Sequence, residues 1–172
     1  PLQFVFLVLS TIAFGWIALG SLSAALGFLP LFAGEEANSV APRKVAVPLT
    51  SRNALLFPLY HEDPARIAGT IDAMARELER LGAASAFDVF VLSDTRGVLD
   101  SAREDRAYAA LASRFEGTIN IYYRRRVDNT HRKSGNIADW VERFGAGYEH
   151  FVILDGDSVM SGETLVALAG SM

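Results

Sequence analysis

Two aspartates separated by one residue, Asp155 and Asp157, follow the apolar segment HFVIL of residues 150–154. Two carboxylates so close together repel each other unless a cation lies beside them. A hard divalent cation such as Mg²⁺ or Mn²⁺ takes oxygen ligands and commonly shares them with substrate phosphates. The pair therefore indicates a divalent metal site. The alternative is an ordinary turn at Gly156, in which Asp155 caps the turn and Asp157 is solvated.

A second segment, YYRRRVDNTHRKSGN at 122–136, concentrates positive charge in a chain whose formal net charge is −4. Arginine can bond two phosphate oxygens at once, whereas lysine acts as a point charge. Lys133 also precedes Gly135 at the expected start of a helix, whose first amides favour an anion. The segment predicts a diphosphate contact. For 124–126 a solvated patch or a contact with anionic lipid is an equal alternative.

Alternating strand and helix patterns surround these residues. Short apolar runs predict strands at 54–60, 87–93, 118–123 and 150–155. Asp63, Pro64 and Gly82 mark the ends of the first intervening helix. Three further helices are expected: one from Ser101, with Glu104 completing a capping box; one over 135–144; and one from about 161. This alternation predicts an α/β fold with a parallel sheet covered on both faces.

A parallel sheet has a functional consequence, because ligands bind in the crevice outside the carboxyl ends of its strands. Polar residues that directly follow a predicted strand should therefore meet at one edge. They are Glu62, Asp63, Asp94, the basic segment, Asp155 and Asp157. Acidic and basic groups are thus expected to converge there.

Residues 1–34 contain no charged side chain, and about 20 apolar residues suffice to cross a bilayer. We predict a transmembrane helix here; a cleaved signal peptide is the main alternative, although the apolar stretch is long for one. Residues 35–53 are expected to form an irregular linker. Its Arg43 and Lys44 favour a cytoplasmic position for the domain at 54–172. The pI near 5.4 disfavours a nucleic-acid partner, and the absence of cysteine excludes disulfides and thiolate metal sites.

Four motifs in order, LLFPLYHED, FDVFVLSD, YYRRRVDNTHRKSGN and HFVILDGDSVM, resemble the donor-binding half of the family-2 glycosyltransferases. The resemblance is strongest to the membrane-bound members that make osmoregulated periplasmic glucans. It implies a GT-A (Rossmann-like) nucleotide-sugar domain preceded by a membrane helix. It also implies UDP-glucose as donor, Mg²⁺ or Mn²⁺ as cofactor, a β-glucan acceptor, and a catalytic domain at the cytoplasmic face of the bacterial inner membrane.

The resemblance also implies roles for seven residues. Those expected at the nucleotide sugar are Tyr60, Glu62, Asp94, Lys133, Asn136 and Asp155, and those expected at the metal are Asp157 and Asp155. His61 departs from the asparagine that the family pattern has there, which weakens the uridine contact expected at that position. Gly156 replaces a common alanine.

Only the donor half of the pattern is present in the sequence, so the acceptor-side general base is expected elsewhere, and the chain is expected to bind donor without efficient catalysis. Two other classes stay open. In a haloacid-dehalogenase-like phosphatase, Asp155 would attack phosphate and Asp157 would act as acid or base. That motif usually ends the first strand of such enzymes, however, not the fourth. A membrane-tethered nucleotide-binding module would bind the nucleotide without sugar transfer.

Overall fold

The computed structural model describes residues 2–32 and 47–171. The chain divides into two units, Pro1–Ala41 and Pro42–Met172, which are described separately. Arg43 and Lys44, like most of the predicted linker, lie outside the described residues.

The first unit contains one helix, α1 (Leu2–Phe32), within its described residues. Its uncharged stretch Leu2–Leu29 has 28 residues, which corresponds to about 40 Å of helix. The hydrocarbon core of a bilayer is only about 30 Å thick. Large apolar side chains such as Phe6 and Trp16 are exposed along it. The helix is therefore long and apolar enough to cross a membrane, as the sequence predicts.

The second unit is a parallel sheet with helices on both faces, which confirms the predicted fold class. Its elements in chain order are β1 (Asn53–Leu59), α2 (Pro64–Arg80), β2 (Phe87–Ser93), α3 (Val98–Arg114), β3 (Asn120–Arg125), α4 (Arg132–Phe144), β4 (His150–Ile153) and α5 (Gly162–Ser171). The strand order is β3-β2-β1-β4, and every neighbouring pair is parallel.

Both faces of the central strands are buried, because β1 and β2 are almost continuously apolar. On one face, Leu55 and Phe57 of β1 pack with the apolar stripes of α2, α3 and α5. On the other face, Leu56 of β1 and Phe90 of β2 pack against Trp140 of α4. The sheet is thus a rigid platform, and its strand ends can hold side chains in fixed positions.

The limits of α2 follow the sequence prediction closely. The Asp63 carboxylate accepts a hydrogen bond from the amide of Ala65 at 3.2 Å, and Pro64 is the first helical residue. Gly82 has a φ of 69°, a left-handed conformation in which glycine is the preferred residue after a helix. Local signals sufficed here because both ends are set by residues next to the helix in sequence.

The predicted starts of α3 and α4 are wrong. Ser101 is not a cap: α3 begins one turn earlier, at Val98 after Gly97, and the Ser101 hydroxyl donates to the Gly97 carbonyl at 2.6 Å. Glu104, the expected capping-box partner, is instead buried in the interior. Helix α4 begins at Arg132 rather than Gly135. These helix starts depend on tertiary contacts that a local pattern does not contain.

Tyr108 of α3 lies in the core between the sheet and helices α2, α3 and α5. Its ring stacks on Tyr123 with centroids 5.2 Å apart, but its buried hydroxyl has no hydrogen-bond partner among the described residues. Burial, and secondly the charge of Glu104, raise the pKa of Tyr108 well above its usual value of 10. The folded protein therefore holds this proton more tightly than the unfolded chain does.

Tyr108→Phe is expected to leave stability at pH 7 unchanged or to raise it, because the variant removes an unpartnered buried hydroxyl and keeps the ring. Above pH about 10 the unfolded chain loses the Tyr108 proton while the folded protein keeps it, so the wild type loses stability as pH rises. The advantage of the variant should grow there by up to about 1.4 kcal/mol per pH unit. Urea unfolding at pH 7, 9 and 11 measures this, and parallel pH profiles would contradict it.

Candidate functional site

The strand order creates a crevice between β1 and β4. The chain moves from β1 through β2 to β3 on one side, and then returns to add β4 on the other side of β1. At such a reversal the loops after the two adjacent strands separate, and open α/β sheets bind ligands there. The loops after β1 and β4 contain Tyr60, Glu62, Asp155 and Asp157.

A cavity of about 690 Å³ occupies this crevice. Its size is within the range of small-molecule and cofactor sites. The cavity is lined by Pro58, Leu59, Tyr60, Glu62, Arg66, Asp94, Asn129, Arg132, Lys133, Asp155, Gly156 and Asp157. Six of the seven residues predicted from the sequence are in this set; Asn136 is the exception.

One wall of the cavity is acidic. Asp155 and Asp157 follow β4, and Glu62 follows β1, where its carboxylate accepts a hydrogen bond from the amide of Tyr60. Gly156 brings the two loops together: a Cβ there would lie 3.3 Å from Cγ of Glu62 and 3.1 Å from Cδ1 of Ile67. The glycine therefore lets the aspartate-bearing turn pack closely on the β1 side, a contact that the sequence did not predict.

The facing wall is basic. Lys133, in the first turn of α4, forms an ion pair with Asp155 across the cavity, and both side chains stay about half exposed or more. Arg132 precedes it, and Arg66 comes from the first turn of α2. Cations and carboxylates thus line the same cavity, an arrangement suited to a ligand that carries phosphate and shares a metal ion.

The metal site stays a prediction. Its carboxylate oxygens can be compared with the ligands that a divalent ion requires. Among the residues that the structure describes, no group of three or more His, Cys, Asp or Glu side chains is arranged to hold a metal ion. Mg²⁺ is commonly bound by one or two carboxylates, with water and substrate phosphates in its other positions. Asp155 and Asp157 fit that mode, in which the metal binds together with its phosphate ligand.

Asp94 follows β2 and lines the cavity, and its carboxylate forms a nearly buried ion pair with Arg126. Nε and Nη2 of Arg126 each donate to one of its carboxylate oxygens at 2.8 Å, and the side chains are 13% and 4% exposed. The Asp94 amide donates to the Leu59 carbonyl at 2.8 Å. The carboxylate is therefore held in one orientation while part of it still faces the cavity.

Arg126 also organises the loop before α4. Its Nη2 donates to the Arg132 carbonyl at 3.0 Å, and its Nη1 donates to the Thr130 carbonyl at 3.4 Å. His131 and Arg132 both have left-handed φ values, of 57° and 49°, which side chains other than glycine and asparagine seldom adopt. One arginine thus holds both Asp94 and the start of α4, which carries the cavity cations Arg132 and Lys133.

The three consecutive arginines of the basic segment, 124–126, do not line the cavity. Arg124 lies within β3 and pairs with Asp139, and it also donates to Asn136. Arg125 lies 3.6 Å from Asp105. The prediction that the whole segment meets a diphosphate is therefore wrong for 124–126, since none of the three lines the cavity. The alternative of a solvated patch fails for Arg124 and Arg126, which are largely buried in ion pairs, but fits the more exposed Arg125. The sequence did not reveal their carboxylate partners, because those lie on other elements.

Asn136 has a different place from the other predicted site residues. It is fully buried, and its Nδ2 donates to the Leu92 carbonyl at 3.0 Å. Through this bond α4 is fixed to the end of β2. His61 also lies apart: with a φ of 62° it lines a smaller cavity, and its Nδ1 is 3.5 Å from Asp100.

Two polar residues of the cavity, Arg66 and Asn129, were not singled out from the sequence. Arg66 could have been found, because the first turn of a helix that follows a strand lies at the binding edge of the sheet. Arg132, by contrast, belongs to the basic segment that was predicted as a whole to contact a diphosphate, and it does line the cavity. Asn129 could not be found, since only the folded loop places it at the cavity; its Oδ1 is buried and has no hydrogen-bond partner among the described residues.

Comparison with known proteins gives matches along nearly the whole chain. Over 167 residues, 96% of the chain, the sequence is 44% identical to "Glucans biosynthesis glucosyltransferase H" of Xylella fastidiosa (strain 9a5c). This chain is similar along nearly its whole length to glucans biosynthesis glucosyltransferase H. A protein of the same name from Vibrio cholerae (strain ATCC 39315 / El Tor Inaba N16961) is 41% identical over 172 residues, the full chain.

The chain spans about a quarter of the length of these glucosyltransferase H relatives, 26% of the first and 23% of the second. No protein-family model matches it. The similarity confirms the resemblance to the glucan-synthesising glucosyltransferases, and the cavity residues lie within the stretch that is similar.

Proposed function

We propose that the cavity binds the UDP part of UDP-glucose, as the donor site of a family-2 glucosyltransferase that extends a β-glucan. The observation that carries the proposal is the convergence of Tyr60, Glu62, Asp94, Lys133, Asp155 and Asp157 around one cavity at the reversal of strand order. These residues come from four separate segments of the chain, so their meeting is a property of the fold. The names of the relatives support glucan synthesis as the use of the site.

The proposed roles follow from the chemistry of each wall. The half-exposed ring of Tyr60 can stack on a nucleobase, and the Asp94 carboxylate can accept a hydrogen bond from the uracil N–H. Lys133 and the amides at the start of α4 can neutralise the diphosphate. The nucleotide would thus extend from the ends of β1 and β2 towards α4.

Asp157, with Asp155, would hold a Mg²⁺ or Mn²⁺ ion that neutralises diphosphate charge and so helps UDP to leave. The ion pair of Lys133 with Asp155 keeps a cation beside this carboxylate before any ligand arrives. That arrangement reduces the repulsion between the two aspartates. When the donor binds, Lys133 would pair with the diphosphate and leave Asp155 to the metal, so the metal and the diphosphate would bind cooperatively.

Helix α1 supports a membrane-anchored enzyme. In the proposal the domain that carries the donor site lies at the cytoplasmic face of the bacterial inner membrane, where membrane lipid and a glucan acceptor would be its partners. The basic residues Arg43 and Lys44 that follow the helix in sequence favour this orientation.

The test is a calorimetric titration of the detergent-solubilised chain with UDP-glucose, UDP, ADP and phosphate, each with Mn²⁺ or with EDTA. We expect Mn²⁺-dependent binding of the two uridine compounds, weaker binding of ADP, and none of phosphate alone. Asp157→Ala should lower the UDP-glucose affinity in Mn²⁺ by about a hundredfold or more, because even residues that only support metal ligands are worth about 10–100-fold.

Glu79→Ala is the matched control, since it removes an exposed carboxylate at the far end of α2 and should bind UDP-glucose like the wild type. Binding that ignores Mn²⁺ and Asp157 would contradict the proposed metal. If the folded chain ignores all uridine compounds and Asp155 instead becomes phosphorylated by a phosphate donor, the phosphatase alternative replaces the proposal.

A further inference from the structure

Glu104 of α3 is a buried carboxyl group that the proposed donor site does not use. It is 1% exposed, and its recorded partners are two hydroxyl groups rather than a cation. Burying a carboxyl group is costly unless its hydrogen bonds compensate, so its neighbours indicate what it does. The Ser93 hydroxyl donates to Oε2 of Glu104 at 2.6 Å, and the Tyr123 hydroxyl donates to the same oxygen at 2.9 Å.

The bond from Ser93 fixes the exit of β2. Because the Ser93 hydroxyl points its hydrogen at Glu104, its oxygen is free to accept, and it accepts the amide of Thr95 at 3.1 Å. Ser93 and Thr95 are buried, whereas Asp94 between them lines the cavity. The residues on either side of Asp94 are therefore joined by the Ser93 hydroxyl, which is itself hydrogen-bonded to Glu104.

Thr95 extends the link to the loop after β1. Its Oγ1 accepts a hydrogen bond from the amide of His61 at 2.9 Å. His61 has a left-handed φ of 62°, which for a residue with a side chain persists only when its surroundings impose it. Its two neighbours, Tyr60 and Glu62, both line the cavity. The hydrogen bond to Thr95 thus lies at the bend that places them there.

We propose that Glu104 is a positioning residue for the cavity, acting through Ser93 and Thr95 on the segments 93–95 and 60–62. Its buried carboxylate orients the Ser93 hydroxyl, that hydroxyl fixes Thr95, and Thr95 fixes His61. We call this chain of hydrogen bonds from Glu104 to His61 the relay. The orientation of Tyr60, Glu62 and Asp94 towards the cavity depends on it. The inference relies on the proposed function for the identity of the ligand, but not for the ordering of the two segments.

The direct test is amide hydrogen exchange by NMR in the ligand-free chain, comparing Glu104→Ala, Glu104→Gln, Ser93→Ala and Thr95→Val with the wild type. Ser93→Ala should speed exchange at Thr95 by about five- to tenfold, the range expected for loss of one hydrogen bond. Thr95→Val should do the same at His61, and Glu104→Ala at both. Glu104→Gln keeps an acceptor oxygen and should restore much of the protection.

Tyr123→Phe is the matched control. It removes the other hydrogen bond to the same Glu104 oxygen, but Tyr123 does not line the cavity and is not part of the relay. The control should lower stability and leave exchange at His61 and Thr95 unchanged. In a parallel titration, UDP-glucose affinity in Mn²⁺ should fall about five- to tenfold in Ser93→Ala and less than twofold in Tyr123→Phe.

The outcomes separate the two proposals. Unchanged exchange at Thr95 and His61 in folded Ser93→Ala and Glu104→Ala would overturn the positioning role, whether or not UDP-glucose binds. Faster exchange at these amides in the variants, together with a wild-type chain that binds no uridine compound, would instead sustain the relay and overturn the donor site. If Glu104→Ala does not fold, Ser93→Ala and Thr95→Val give the same answer link by link.

Discussion

Arg126→Ala is expected to lower the free energy of unfolding by about 3–5 kcal/mol and to abolish UDP-glucose binding. The guanidinium is the two-point partner of a carboxylate that is only 4% exposed, so its removal leaves the buried charge of Asp94 uncompensated. It also frees the carbonyls of Thr130 and Arg132 before α4. Urea unfolding measures the first effect and calorimetric titration the second.

The neighbouring Arg125 is a matched control for this prediction. Its ion pair with Asp105 is longer, at 3.6 Å, and both side chains are substantially exposed. Exposed pairs of this kind contribute about 0–1 kcal/mol, so Arg125→Ala should change stability little. Arg126→Lys should recover only part of the loss, because an ammonium cannot bond both oxygens of Asp94 as a guanidinium does. Equal effects at the two arginines would contradict the structural role assigned to Arg126.

Gly135→Ala is expected to have the second largest effect, a loss of about 3 kcal/mol together with weaker UDP-glucose binding. A Cβ at this position would lie 2.1 Å from the Thr130 carbonyl oxygen and 2.9 Å from Cβ of His131. The overlap is with backbone, which no rotamer change can relieve. The loop that carries Asn129 and Arg132 must therefore move away from the cavity.

Gly69→Ala supplies the comparison for Gly135→Ala. Gly69 lies inside α2, and a Cβ there would meet nothing within 4 Å. The same substitution should stabilise the protein by about 0.5–1 kcal/mol, because alanine loses less conformational freedom in a helix than glycine does. Thermal unfolding and a UDP-glucose titration of both variants are sufficient. A Gly135→Ala variant with wild-type stability and binding would show that the contact with Thr130 is not needed.

The sequence predicted those features that depend on neighbouring residues or on a general rule of parallel sheets. The short apolar runs of β1 and β2 are typical of buried strands. Asp63 and Gly82 mark the two ends of a helix directly. The convergence of Glu62, Asp94 and Asp157 followed from a geometric rule, since the carboxyl ends of parallel strands share an edge. Knowledge of the strand order was unnecessary for that inference.

Partners distant in sequence could not be predicted. Arg126 reads as one more cation in a basic segment, and only the fold shows that Asp94, 32 positions earlier, uses its guanidinium. Glu104 fits a capping box three residues after Ser101, yet its carboxylate turns inward to Ser93. Asn136 belongs to a motif associated with the nucleotide but is buried under β2. In each case a tertiary contact outweighed the local pattern.

The central claim is that the cavity between the loops of β1, β2, β4 and the start of α4 holds the nucleotide of the donor. The most direct measurement is photo-crosslinking of the full chain with 5-azido-UDP-glucose in Mn²⁺, followed by mass-spectrometric identification of the labelled peptides. We predict label within 58–66, 93–97 or 126–136, prevented by excess UDP and absent in Asp157→Ala. Label confined to other parts of the chain, or label that excess UDP does not displace, would contradict the donor site.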